Sequence, residues 1–340
     1  MCHLLYFIEK KIVPKSMQRY GDKDKCFIVK DMQRYGDKKE TPSDVLLHLA
    51  ALRGDDITLR RVLDSGKVHV DCKDEDGTTP LILSAAGGHT TCVLELLEQG
   101  ADPNSRRATG TTPLFFAAQG GYLDVVKILI KAGASVDTPS VDGGTPLFVA
   151  AQGGHVKLVK ELLDCGSNVN ACMKDRATPV FIAAQNGHRT VLSLLLTAGA
   201  YPDTKRIDGA TPLWIAAQMG HDHICKVLLQ NGANVDAVRC DGATPLFKAA
   251  HKGHAAVVTE LLKHRPNLGL LPNGETALHA AAMFGHMTVV KQLIAAGADI
   301  TQVNQDGLTA LQVARQQKYS SICDYLQERL RNLQARNQQS

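Results

Sequence analysis

A threonine–proline pair recurs in this chain at a fixed interval, and that interval constrains the fold more than any other feature. The pair stands at Thr79-Pro80, Thr112-Pro113, Thr145-Pro146, Thr178-Pro179, Thr211-Pro212 and Thr244-Pro245, each 33 residues after the one before. Thr276-Ala277 and Thr309-Ala310 extend the series at steps of 32 and 33 residues. Self-similarity at such a period belongs to arrays of one supersecondary unit, each copy burying its apolar side against the next. A length of 340 residues then needs no division into globular domains, because stacking adds units without enlarging any single core.

The stretch from Asp208 to His221, Asp-Gly-Ala-Thr-Pro-Leu-Trp-Ile-Ala-Ala-Gln-Met-Gly-His, carries the physics of one unit. Asp-Gly supplies a turn. Threonine caps a helix by accepting from an amide with no intrahelical partner. Proline at the first helical position loses nothing, since its missing N–H would have been unpaired there. The Ala-Ala pair, as at Ala117-Ala118 or Ala249-Ala250, lets neighbouring helices approach closely. Gly-His or Gly-Tyr ends that helix, and a second one follows with apolar positions such as Val125, Val126, Leu129 and Ile130. Gly-Ala, as at Gly133-Ala134, ends the second helix, glycine suiting its left-handed cap.

These motifs resemble the ankyrin repeat, whose pattern runs Asp-x-x-Gly-x-Thr-Pro-Leu-His-x-Ala-Ala-x-x-Gly-His, then Val-Val-x-x-Leu-Leu and Gly-Ala. The resemblance covers residues 43 to 328 and implies an all-α ankyrin-repeat solenoid of about nine helix-turn-helix units with β-turn or hairpin fingers. Residues 1–42 are expected to be an irregular, disordered leader. Within it residues 17–23 and 32–38 carry the same heptapeptide, Met-Gln-Arg-Tyr-Gly-Asp-Lys, either a local duplication or a doubled docking peptide. The array is expected over 43–328, with caps near 43–75 and 306–328 and a polar tail over 329–340. The first unit is read as degenerate, with one helix from Val45 to Gly54 and no Thr-Pro. At the other end Gln312, Arg315, Gln316, Gln317 and Lys318 replace apolar positions, as a water-facing terminal unit requires.

A net charge of +4 over this length does not argue for nucleic acid or an anionic membrane, and no run of 18 apolar residues exists. The nine cysteines are scattered, odd in number and never spaced Cys-x-x-Cys, and there is no Asn-x-Ser/Thr acceptor. A zinc ribbon or disulfide framework is disfavoured and an intracellular, cytoplasmic setting expected, with the nucleus as the alternative.

His89, His155, His188, His221, His254 and His286 share one repeat position. Packed helices lie about 8–10 Å apart, whereas nitrogens sharing a zinc each lie about 2.0–2.1 Å from it. The column is therefore read as structural, each imidazole hydrogen-bonding its own or the adjoining turn. Asp71, Asn104, Asp137, Asn170, Asp203 and Asp236 form a second column, read as side chains that hold loop backbone. No Gly-x-Ser-x-Gly, phosphate loop or His-Glu-x-x-His occurs, so no enzyme, metal, cofactor or small-molecule substrate is expected.

Departures from the repeat pattern mark the candidate binding surface. Phe115, Phe148, Phe181, Trp214 and Phe247 occupy a position that the family fills with His, as His279 does here. They read either as packing between repeats or as anchors for a partner's apolar side chains. Gln119, Gln152, Gln185 and Gln218, followed by His251, run beside them. The resemblance places that row on the concave surface, where it could bind an extended peptide or simply be solvated. Arg106, Arg107, Lys174, Lys205, Arg206 and Arg239 fall where the family's finger tips lie. Two irregularities stand out: Arg176 replaces a turn glycine, and residues 264–273, with Leu268, Leu270 and Leu271, replace a finger one residue short. The expected function is a noncatalytic scaffold binding a partner protein on its concave face and loop tips. The alternative is a substrate-recognition adaptor or regulatory subunit of an enzyme complex.

Overall fold

The computed structural model describes residues 41–272 and 274–337. The duplicated leader peptide and Asn273, which opens the eighth repeat, lie outside them. The described residues form eighteen helices in consecutive pairs. The chain divides between Met173 and Lys174 into two compact units. The first holds α1 (Pro42–Arg53), α2 (Asp56–Asp64), α3 (Pro80–Gly87), α4 (Thr90–Glu98), α5 (Pro113–Gly120), α6 (Leu123–Lys131), α7 (Pro146–Gly153) and α8 (Val156–Asp164). The second holds α9 (Pro179–Asn186), α10 (Arg189–Thr197), α11 (Pro212–Met219), α12 (Asp222–Gln230), α13 (Pro245–Lys252), α14 (Ala255–Leu262), α15 (Ala277–Met283), α16 (Met287–Ala295), α17 (Ala310–Gln316) and α18 (Ser320–Asn337). Within each unit the first helices of successive pairs pack on one another, and so do the second helices.

The threonine caps explain where the first helices start. Thr211, for example, is extended at φ −98°, and its side chain accepts from the Trp214 N–H; the other repeats do the same. The first repeat corrects the sequence reading. It does carry the pair: Thr41 caps α1 in a reciprocal capping box with Asp44, and Pro42 is its first residue. Thr41 stands 38 residues before Thr79 rather than 33: α1 has 12 residues where α3 has 8, which accounts for four of the five extra residues, and the stretch from Gly54 to Thr79 is one residue longer than that from Gly88 to Thr112. The extra turn puts the cap out of register. The fingers are turns, and the one β-bridge among the described residues pairs Val303 with Thr309.

Three sets of bonds join neighbouring repeats. The histidine column reaches backwards: Nε2–H donates to a carbonyl of the preceding first helix, His89 to Leu52 at 3.0 Å, His221 to Gln185 at 3.1 Å, His254 to Gln218 at 3.0 Å and His286 to His251 at 3.1 Å. The Asp/Asn column reaches forwards to a backbone N–H of the next repeat. Asp71 accepts from Asp102, Asn104 from Ser135, Asp137 from Asn168, Asp203 from Asn234 and Asp236 from Asn267. Finger tips are linked by backbone bonds, Val141 N–H to Thr109 O and Ile207 N–H to Asp175 O, both within 2.9 Å. Both side-chain columns are thus joints between repeats.

The finger turn needs a left-handed residue. Gly209 takes φ 80° and Gly242 φ 77°, and Arg176 is forced to φ 67° in the same place. A non-glycine residue there costs on the order of 1–2 kcal/mol, partly offset by glycine's greater unfolded-state freedom. Arg176→Gly is therefore expected to stabilise the protein by about 0.5–1 kcal/mol. A urea melt checks this, and a lowered midpoint would show that the Arg176 side chain contributes more than the turn strain costs. In the irregular finger Leu271 is buried, Leu268 half-buried and Leu270 exposed.

Candidate functional site

The aromatic column lies largely inside the stack: Phe148, Phe181 and Trp214 are buried, while Phe115 and Phe247 are half-buried. Trp214 also makes a joint, its indole Nε1–H donating 3.1 Å to the Ala243 carbonyl of the next repeat. His279 uses Nε2–H the same way, 2.9 Å from the Leu308 carbonyl, with Nδ1 accepting from the Thr276 hydroxyl. His48 belongs to this column too, fully buried and 3.0 Å from the Thr78 carbonyl. Sequence reasoning missed it. The signal was its distance from the helix-ending glycine: His48, Trp214 and His279 each stand six residues before Gly54, Gly220 and Gly285.

The finger cations in the second unit cover these rings. The Arg206 guanidinium lies 5.5 Å from the Phe181 ring centre and that of Arg239 4.8 Å from Trp214, with Lys248 Nζ 5.5 Å from the same indole. Such stacking lowers the ordering cost of a planar guanidinium and adds cation–π attraction. Asp208 holds both arginines, accepting from Arg206 at 3.1 and 2.7 Å and from Arg239 at 3.1 Å. Burial opposes ionisation of Asp208, yet the Arg206 hydrogen bonds, the Ala210 N–H and both guanidinium charges hold its carboxyl below the ordinary value. Arg206 is correspondingly raised, chiefly by its hydrogen bond to Asp208. Lys205 and Lys174 are exposed.

In the first unit Arg107 is closed in and paired with Asp76 at 2.8 Å. Arg106 is exposed and donates 2.7 Å to the Pro139 carbonyl. Basic finger residues there also serve as struts between loops. The glutamine row is more open: Gln119 and Gln152 are exposed, and Gln185, Gln218 and His251 half-buried. The backbone carbonyls of Gln119, Gln185 and Gln218 accept the histidine bonds of the following repeat, which fixes the main chain beneath those side chains.

Among the described residues no cluster of His, Cys, Asp or Glu could hold a metal ion, and no helix is long and apolar enough to cross a membrane. The described cysteines are free thiols. Burial pushes Cys92 up to about 11 and Cys225 up to about 12, far from the thiolate that reactivity needs.

A family model described as ankyrin repeats in three copies matches residues 47–140, 132–206, 198–270 and 263–337. Human ankyrin repeat domain-containing protein 29 is 49% identical over 69 residues, which make up 20% of this chain and 23% of that protein. The zebrafish protein of the same name is 51% identical over 69 residues, again 20% and 23% of the two chains. A stretch of 60 residues is 40% identical to the Arabidopsis thaliana E3 ubiquitin-protein ligase KEG, 18% of this chain and 4% of the ligase. The alignments thus span less than a quarter of these relatives' length.

Proposed function

The chain belongs to the ankyrin-repeat family, and from that premise we propose that it is a noncatalytic scaffold that binds a partner protein on its first-helix faces and finger tips. The observation that carries this reading is the placement of exposed apolar residues on braced fingers. Val141 is 55% and Ile207 65% exposed, at equivalent tips, and each backbone N–H is bonded to the preceding finger. These side chains stand largely in solvent, yet the main chain beneath them is fixed. A surface ordered before binding loses little entropy on association, so modest contacts suffice for affinity. Gln119 and Gln152 add exposed donors and acceptors beside the first unit's fingers. The free thiols and absent glycosylation acceptors support an intracellular setting.

The test is affinity capture from cell extract with the wild-type chain and with Gln119→Glu/Gln152→Glu/Val141→Asp. The triple variant alters only exposed side chains, so its melting curve should stay within about 0.5 kcal/mol per site of wild type. Capture of the main partner is expected to fall at least tenfold. Undiminished capture of every partner would overturn this assignment of the binding face. The KEG-like stretch favours a second reading, an adaptor that selects substrates for an enzyme carried by another chain. Recovery of a ligase subunit in the same capture would support it.

A further inference from the structure

Helix α13 departs from its sister helices in three places on one face. Its fourth residue, Lys248, stands where the other repeats place Leu83, Phe116, Val149, Ile182, Ile215 and Ala280, all buried. His251 replaces a glutamine, and Lys252 falls in the row that holds Met219 in the preceding repeat and Phe284 in the next. Positions 248, 251 and 252 are spaced i, i+3 and i+4, so their side chains share a face.

That face carries little compensating charge: Asp241 acts on Lys248 only from beyond ion-pair distance. Asp208 and Asp241 are turned to Arg206 and Arg239, and no carboxylate lies within ion-pair distance of Lys248 or Lys252 among the described residues. Burial and then the Lys252 charge push Lys248 below the ordinary lysine value, and burial with both lysines does the same to His251. His251 Nδ1 is buried without a hydrogen-bond partner. A buried nitrogen facing no acceptor favours the tautomer whose proton sits on Nε2. The fold therefore tolerates a lysine where an aliphatic residue would be more stable, the kind of cost met at functional positions.

We propose that this face binds an extended acidic segment of a partner protein, its carboxylates on Lys248 and Lys252 and its flanking apolar side chains on Met219 and Phe284. This rests on the scaffold reading above and names the partner's chemistry. Met219 and Phe284 are 49% and 43% exposed, and the Phe284 ring lies 4.2 Å from that of His251. Neighbouring first helices lie about 8–10 Å apart, and an extended chain advances about 3.3 Å per residue. Adjacent rows are therefore about three residues apart on the ligand. The segment has an acidic centre with an apolar residue about three positions to each side.

The chain's single tryptophan, Trp214, touches both Arg239 and Lys248 and reports on the site. The full chain is titrated with the peptide Leu-Ser-Glu-Glu-Glu-Ser-Leu, with its counterpart in which Gln replaces each Glu, and with one in which phosphoserine does. The Glu peptide is expected to give a saturating change in Trp214 emission that weakens with salt. The Gln peptide should bind at least tenfold more weakly. Lys248→Ile/Lys252→Gln restores residue types the chain uses in its other repeats, so it should melt no lower than wild type while binding the Glu peptide at least tenfold more weakly. Equal binding by the variant, equal binding of the Gln peptide, binding of the phosphoserine peptide alone, or an emission change on raising protein concentration without peptide would each overturn the proposal. Capture from extract separates the two readings. If wild type and variant retain the same partners, the acidic-segment proposal falls while the scaffold stands; if wild type captures none, the scaffold reading itself falls.

Discussion

Gly220→Val is expected to cut the stack within the second unit and to cost about 3–5 kcal/mol. Gly220 ends α11 at φ 82° and ψ 20°, a region in which a β-branched side chain is an outlier. Its absent side chain also makes room for the next repeat. A Cβ built there would stand 2.9 Å from both Cε1 and Nδ1 of His254, closer than carbon atoms pack. His254 cannot retreat without giving up its 3.0 Å bond to the Gln218 carbonyl, which would leave a polar pair unmatched. Strain of about 1–2 kcal/mol adds to about 1–3 kcal/mol for the orphaned bond, and branching at Cβ adds more. In a linear array such a loss weakens one joint selectively, so the urea transition should both shift down and broaden or split. Gly220→Ala should fall between the two, sharing the strain and the contact without the branch. An unchanged curve for the valine variant would contradict the helix end and the joint together.

Trp214→Ala should destabilise by a similar amount, about 3–5 kcal/mol, because a large buried side chain leaves a cavity that rigid helices cannot close. Trp214→Phe should cost only about 1 kcal/mol. The chain itself places phenylalanine at Phe115, Phe148, Phe181 and Phe247, so the ring fits, and the loss is the 3.1 Å bond to the Ala243 carbonyl. Circular dichroism under urea measures both. If Phe cost as much as Ala, the indole hydrogen bond rather than the ring volume would dominate this joint.

The architecture was written in the sequence because capping chemistry and glycine positions repeat with a fixed period. Thr211, Pro212 and Gly220 each have one local job, and the structure shows each doing it. The first repeat was less legible. Its longer helix puts Thr41-Pro42 out of register, so the Thr-Pro period does not reach His48, whereas its distance from Gly54 does. The candidate surface was legible only as positions. That Arg206 and Arg239 lie on aromatic rings and share Asp208 depends on how adjacent fingers face each other, which period alone does not encode. Lys248 is not legible as a departure in the sequence alone, because a lysine on an amphipathic helix ordinarily reads as solvated. Its meaning lies in the burial of the six equivalent positions.

The bonds between repeats have a further consequence for how such a chain can change. A histidine reaches back to a backbone carbonyl, an Asp or Asn reaches forward to a backbone amide, and finger tips meet through main chain, with side-chain pairs such as Arg107–Asp76 and Arg239–Asp208 added at particular fingers. Since one partner in each of the three recurring bonds is backbone, those bonds do not ask which side chains the neighbour carries. Whole copies can be duplicated or lost with the recurring bonds of each new pair of neighbours already complementary. Mutations that spare the linking residues are then free to diversify one copy at a time, leaving the others as an internal reference against which a changed copy such as α13 stands out.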